Sequence, residues 1–456
     1  MIRITFHGGS RDVTGANYLI ETDKSKVLVD CGLIQGGLHV EERNFAPFAY
    51  DPKTVDALLL THAHIDHTGR APKLFKEGFL GKIISTYPTH DLLKVMLEDS
   101  QGLMEAEAER EKREPLYTKR DVERALEHSY GVDYGKIIEI TDDIRVRFRD
   151  AGHILGSAII EMWVKSAEGE KKIVFSGDLG NSPVPLLRPT ELIDEAEYVL
   201  VEAVYGDRIH EDREERKNVL EDAIEDTIAK GGTLMIPAFA IERIQEMLYE
   251  LNSLVENRRI PPIPIFIDSP MAINATAVYR KYPQYYNTQA THLIKSGDKL
   301  FDFPRLKFTY TSEESIAIND VPPPKVILAG SGMSTGGRIL HHERRYLPDP
   351  NSMLLIIGYQ VAGSLGRRVL DGADEVRIFG EPVAVRARVR AIGGYSAHAD
   401  QEALAHWVGH IHKGGKLKKV FIVQGEEGPA LALRQILRDN LGIDAVAPVY
   451  GESFDL

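Results

Sequence analysis

The stretch Thr61-His62-Ala63-His64-Ile65-Asp66-His67 follows directly on the apolar run of residues 55–60, VDALLL. The run reads as a buried strand. Imidazoles and a carboxylate delivered to the end of such a strand are costly to bury without partners. In extended chain, residues i and i+2 point the same way. His62 and His64 can therefore converge on one ion, and the following turn can bring Asp66 and His67 to a second. Imidazole and carboxylate suit zinc, and also iron or manganese. Other donors stand at strand ends too. His153 lies in Ala-Gly-His-Ile-Leu-Gly-Ser, after the strand expected at 144–150. Asp178 lies in Ser-Gly-Asp-Leu-Gly, after the apolar residues 173–175, where a carboxylate could bridge two ions. Asp30 closes the strand expected at 26–29 and is placed to orient ligands from behind.

The rest of the chain is read around this cluster. Its 456 residues suggest two or three domains. Residues 1–205 are mostly β, with a charged helical region at 91–130. From 206 the pattern changes to strands alternating with helices: helices at 213–230, 241–257 and 272–282, strands at 233–237, 263–268 and 325–329. Such alternation implies a parallel sheet, expected over 206–385. A β-rich character returns at 386–392 and 420–423, with a helix at 401–412. Residues 386–456 are therefore expected to rejoin 1–205, which makes the α/β domain an insertion. The formal net charge of −13 excludes a protein that coats nucleic acid with its whole surface, but not one with a basic groove. The single cysteine, Cys31, forbids an internal disulfide. No apolar stretch has the length of a membrane span, and the start lacks a secretory pattern. These features point to the cytoplasm and to no membrane partner.

Asp30, the 62–67 cluster, His153 and Asp178, in this order, resemble the metallo-β-lactamase fold over residues 1–205 and 386–456. Further motifs are Val201-Glu202-Ala203-Val204-Tyr205-Gly206, Gly394-Tyr395-Ser396-Ala397-His398-Ala399-Asp400 and Val423-Gln424-Gly425-Glu426, with the Gly-rich segment at 330–342 between them. The combination is similar to the β-CASP nucleases, in particular the RNA-cleaving group around the endonuclease subunit of the cleavage and polyadenylation specificity factor. The resemblance spans nearly the whole chain. It implies an α/β protein: an αββα sandwich with an inserted α/β β-CASP domain. It implies two zinc ions, with manganese as the alternative, and hydrolysis of phosphodiesters in single-stranded RNA. Cutting is endonucleolytic, with a 5′ exonucleolytic mode and DNA as substrate left open, and so is a homodimer. By this resemblance His62, His64 and His153 hold one ion, Asp66 and His67 the other, and Asp178 bridges. Glu202 orients His398, which protonates the leaving oxygen, and Asp66 belongs to the catalytic set. Neither the added C-terminal domain of RNase J nor the N-terminal KH modules of archaeal relatives is expected.

Two departures stand out. Gln424 occupies a position that is usually histidine in RNA-cleaving members and apolar in DNA-cleaving ones, so it is at most a weak ligand. Glu-Ala-Val-Tyr-Gly stands for the usual Glu-Ser-Thr-Tyr-Gly and lacks two hydroxyls. The loop Gly-Ser-Gly-Met-Ser-Thr-Gly-Gly after the strand at 325–329 can offer N–H groups and hydroxyls to a phosphate. Ser331, Gly332, Ser334, Arg338 and Ser396 are the candidate substrate contacts, and Arg367 and Arg368 add charge. His341 and His342 are expected to be structural. His90, His128, His406, His410 and His412 are expected on helix surfaces. The competing readings are another hydrolase of the same metal fold and an RNA-binding subunit with impaired catalysis.

Overall fold

The computed structural model describes every residue except 37–38, 168, 211–213, 359, 361–362 and 393–395. Gly394 and Tyr395 of the motif before His398, and the first residue of the helix expected from 213, lie outside the described residues. The chain packs as two units, one of Met1–Ile209 with His398–Leu456 and one of His210–Ala397.

The first unit holds two seven-stranded sheets. One runs Ser453–Asp455, Ile2–Phe6, Tyr18–Thr22, Lys26–Val29, Ala57–Leu59, Lys82–Thr86, Ser129–Val132 in spatial order. The other runs Ala445–Val446, Lys419–Val423, Tyr198–Glu202, Gly169–Phe175, Ala158–Ser166, Ile144–Asp150, Ile137–Glu139. Side chains alternate faces along a strand, and here both faces are covered. Val27, Val29 and Leu59 point into a core shared with Phe148, Met162, Phe175 and Leu200 of the other sheet. Leu28, Leu58 and Leu60 point the opposite way, onto Leu74, Phe75, Leu93 and Leu97 of the helices Ala71–Lys76 and Tyr87–Glu111. In the second sheet Val199 and Val201 pack on Trp407, Val408, Leu433 and Leu437 of the helices Gln401–Lys413 and Glu427–Leu441. The result is helix, sheet, sheet, helix. It explains why residues 57–60 read as an unbroken apolar run: a strand covered on both faces has no polar face to show.

The second unit is a parallel sheet in the order Leu306–Phe308, Ile265–Ile267, Lys325–Ala329, Thr233–Pro237, Met353–Ile356, Arg388–Ala391. Helices such as Arg243–Glu256 and Pro270–Lys281 connect its strands. The strand Arg388–Ala391 pairs in parallel with Met353–Ile356, whereas the sequence reading assigned residues 386–392 to the outer domain. Alternation marks a strand but does not say which sheet it joins. The chain re-enters the first unit at His398. There Lys419–Val423 pairs in parallel with Tyr198–Glu202, Glu202 opposite Val423.

Candidate metal centre

His62 and His64 leave the end of Ala57–Leu59 in extended chain, and His64 precedes the single-turn helix Ile65–Thr68. Asp66 and His67 thus stand on a helical turn, where the sequence suggested only a turn. That turn is clamped by backbone. Ala16 N donates to Asp66 O at 2.9 Å and Cys31 N to His67 O at 2.8 Å. A Cβ on Gly32 would fall 1.4 Å from Asp66 O, so only glycine fits there. Asp30, in left-handed backbone at φ 59, reaches across. Its carboxylate accepts from Thr61 N (2.8 Å), Thr61 Oγ1 (2.8 Å) and His67 Nδ1 (2.7 Å). With Nδ1 donating to Asp30, His67 presents Nε2 to the site. Thr61 was not singled out from the sequence, although its place between the apolar run and His62 was the available signal.

His62 Nε2 lies 3.1 Å from His64 Nδ1, which is 3.2 Å from His153 Nε2. Asp178 Oδ2 lies 3.5 Å from His62 Nε2 and 3.6 Å from His153 Nε2. All four residues offer an atom within 4.8 Å of the others. Donors about 2.0–2.2 Å from a tetrahedral ion stand about 3.3–3.6 Å from one another, close to the spacing of these four pairs. Three imidazole nitrogens and one carboxylate oxygen also form a suitable donor set for zinc. The second set runs through His67: its Nε2 is 3.3 Å from Asp178 Oδ1 and 3.7 Å from Asp66 Oδ2. The Gln424 amide lies 2.9 Å from the same nitrogen. Asp178 Oδ1 and Gln424 Oε1 are both buried without a hydrogen-bond partner. Such atoms are rare unless something polar or charged completes them, so the residues present fit the metal ions their pattern implies.

The electrostatics agree. Burial pushes His62 well below its ordinary value, which keeps it neutral with a lone pair to give. Burial also works against a charge on His67, but Asp178, Asp30 and Asp66 together hold it well above the usual imidazole range. Asp178, despite burial, is held well below the carboxylate range by His67 and His62. Burial raises Asp66 to about 6. The pocket thus draws positive charge toward its carboxylates, and a divalent cation there competes with the proton on His67.

Beside the first set, His398 Nδ1 lies 3.3 Å from Glu202 Oε2 and 3.8 Å from Asp178 Oδ2. Its backbone bridges Gly180 and that of Asp400 bridges Tyr205, which ties the segment to the loops after Asp178 and Glu202. Glu202 is fully buried at the end of its strand and accepts from Leu179 N at 2.7 Å. Burial works to lower His398, but Glu202 outweighs it and, with Asp178 and Asp66, raises it to about 9.

The candidate substrate contacts sit in the second unit. Ser331 Oγ accepts from Thr335 N (2.9 Å) and Gly336 N (3.2 Å), which shapes the loop. Ser334 is buried and donates to Glu343 at 2.5 Å. Arg338 donates to Asp268 Oδ1 at 2.7 Å and to Tyr310 O at 2.7 Å. Ser334 and Arg338 therefore serve the interior of this unit. Arg367 pairs with Asp371 at 2.9 Å. His342, expected to be structural, is buried against Asp268 Oδ2 at 2.7 Å. Ser396 is described but belongs to this unit, separately from His398.

Comparison with known proteins agrees with the geometry. The chain matches the metallo-beta-lactamase superfamily over residues 11–230, the Beta-Casp domain over 244–369 and the Zn-dependent metallo-hydrolase RNA specificity domain over 382–448. It is 40% identical to Ribonuclease TTHA0252 of Thermus thermophilus, over 96% of each chain. It is 34% identical to the transcription termination factor FttA of Pyrococcus abyssi, over 98% of this chain and 70% of that one. It is 32% identical to an RNase J-like protein of Methanocaldococcus jannaschii, over 99% of each. Matched along almost its entire length, the chain belongs to the β-CASP ribonucleases of the metallo-β-lactamase superfamily.

Proposed function

We propose that this chain is a metal-dependent ribonuclease that hydrolyses phosphodiester bonds in single-stranded RNA as an endonuclease, with two divalent ions, of zinc or manganese, at the centre. The observation that carries the reading is the His62, His64, His153 and Asp178 set, at tetrahedral spacing, with a charged imidazole next to it. The name of the ribonuclease from T. thermophilus and the RNA specificity match at 382–448 support RNA as the substrate. No helix of the described residues is long and apolar enough to cross a membrane, and the lone cysteine is buried. Both suit the cytoplasm.

His62, His64, His153 and Asp178 Oδ2 would hold the first ion. His67 Nε2, Asp66, Asp178 Oδ1 and Gln424 would hold the second. When bound, the ions supply activation of water and neutralisation of charge at the phosphate. The chain's own residues do the rest. Asp30 and Thr61 fix the tautomer and plane of His67. His398 Nδ1 is held by Glu202, and Nε2 carries the second proton of the imidazolium. A histidine raised to about 9 is charged at neutral pH, as the donor of a proton to a leaving oxygen must be. Ser331 and Gly332 of the Gly-rich loop are the candidate contacts for a substrate phosphate, with Ser334 and Arg338 shaping the loop behind them.

The test is cleavage of end-labelled single-stranded RNA by the purified chain with zinc or manganese, beside single-stranded DNA and beside Asp178→Ala. Cleavage of RNA that disappears in Asp178→Ala is the expected result. Equal cleavage by both proteins would overturn the reading. Gln424 favours one second reading, an RNA-binding protein with impaired catalysis. In that case the natural chain binds RNA without cutting it, and Gln424→His cuts.

A further inference from the structure

The two ion positions do not draw on the same chemistry. The first gathers three imidazole nitrogens and one carboxylate oxygen. The second has one nitrogen, His67 Nε2, and otherwise oxygens: Asp66 Oδ2, Asp178 Oδ1 and the amide of Gln424.

The amide's orientation follows from its neighbours. His67 Nδ1 donates to Asp30. Its other nitrogen, Nε2, therefore faces the second position. The amide atom 2.9 Å from it is Gln424 Nε2, a donor with no lone pair to give a cation. On the other side Gln424 Oε1 is buried without a partner, and so is Tyr18 Oη. Both line one small cavity of about 10 Å³ with Asp30, Thr61 and His67. The nitrogen and oxygen of an amide are exchanged by a half-turn about the last side-chain bond. That turn directs Oε1 toward His67 and the second position, and Nε2 toward the side of Tyr18. The side chain is held for this. Gln424 N donates to Gly9 O at 2.7 Å, and a Cβ on Gly9 (φ 60) would lie 2.2 Å from Gln424 Oε1. Gly9 gives the amide room that no other residue would leave.

We infer that the centre is chemically unequal: the first position holds zinc tightly, whereas the second binds zinc weakly and takes up manganese when manganese is in excess. This rests on the metal-dependent reading above and not on RNA as the substrate. A given donor set generally favours zinc over manganese, so selectivity comes from donor type and availability. Imidazole suits zinc, whereas carboxylate and carbonyl oxygens suit manganese. Losing even an outer contact of a ligand costs about 10–100-fold in metal affinity, and loss of an imidazole ligand costs at least as much.

The experiment counts metals. The full chain is stripped with chelator, loaded with zinc, passed through a desalting column and analysed by atomic emission. It is then equilibrated with about a hundredfold excess of manganese over zinc and read again, with electron paramagnetic resonance. The wild-type chain is expected to keep about one zinc and to gain about one manganese, with the six-line signal of an isolated Mn²⁺ ion. Gln424→His is expected to keep about two zincs, its manganese signal at least about tenfold smaller. Gln424→Glu keeps an oxygen donor and is expected to keep the manganese, which covers the case of a histidine variant that does not fold. Two zincs retained by the wild-type chain under excess manganese would overturn the inference, and so would identical counts in Gln424→His. RNA cleavage measured on the same samples separates the two claims. Unequal metal counts without cleavage reject only the ribonuclease. Cleavage with two equally held zincs rejects only the unequal centre.

Discussion

Asp178 faces both proposed ion positions and also His398. His398 is proposed to act apart from the ligands. His398→Ala is expected to slow cleavage by about 10²–10⁴-fold and to leave the metal count unchanged; loss of zinc would place this histidine among the ligands instead. Glu202 is proposed as a positioning residue that works through the charge on His398. Its effect has a sign. A raised histidine is charged below its pKa and loses its proton as pH rises through about 9. Without the carboxylate of Glu202 that pKa falls, so the alkaline limb of the kcat/KM profile of Glu202→Gln should move to lower pH. A uniform loss at every pH would reduce Glu202 to packing. Asp30→Asn should weaken metal binding by about 10–100-fold, measured as zinc released to a chromophoric chelator. At this scale much was legible in the sequence, because His62, His153 and Asp178 each follow a stretch readable as a strand and could be placed at strand ends. The direction of a side chain is not written there. Nothing in the sequence shows that Ser334 turns inward to Glu343 or that Arg338 is committed to Asp268.

Elements decide how firmly those residues are held. The turn Ile65–Thr68 packs against Gly32 with no room for a methyl group. Gly32→Ala must displace Asp66 and His67, and the expected outcome is loss of bound metal together with a lower melting temperature. Metal retained at the wild-type level would show that the turn can move without cost to the site. In the second unit, Asp268 closes the strand Ile265–Ile267 and collects His342, Arg338, Ser315 and Thr309. Burial alone would raise this carboxyl, but the bond from His342, with those from Ser315, Thr309 and Arg338, brings it down to about 2. A depressed carboxylate stabilises above its unfolded value of about 3.9, and the contribution is lost as pH falls toward about 2. Asp268→Asn should therefore cost about 3 kcal/mol at neutral pH in denaturant titrations, and the difference should shrink below about pH 4. A gap that persists in acid would point to shape rather than charge. The strands covered on both faces were readable from sequence as apolar runs. Short edge strands were not: Ala445–Val446 and Ser453–Asp455 are too brief for a period to show. Arg388–Ala391 was readable as a strand but not as a member of the inserted sheet.

For the whole molecule, every donor proposed for an ion comes from the first unit, and so do both tryptophans, Trp163 and Trp407. Tryptophan fluorescence therefore reports the unit that holds the metal. Ions bound at about a thousand times their dissociation constant add about 4 kcal/mol to a fold. Chelation should lower the midpoint of the fluorescence transition, and restoring zinc should recover it. An unchanged midpoint would mean that the histidine cluster folds as firmly without a cation. The placement of these parts along the chain also bears on how the protein is made. Translation at about 5–20 residues per second delivers His62 through Asp178 well before the insertion, and His398 and Gln424 only after it. Until then the strand Tyr198–Glu202 also lacks its neighbour Lys419–Val423. On the proposed roles, a nascent chain would gather the ligands of its first ion before it holds the acid needed to cut the messenger that encodes it.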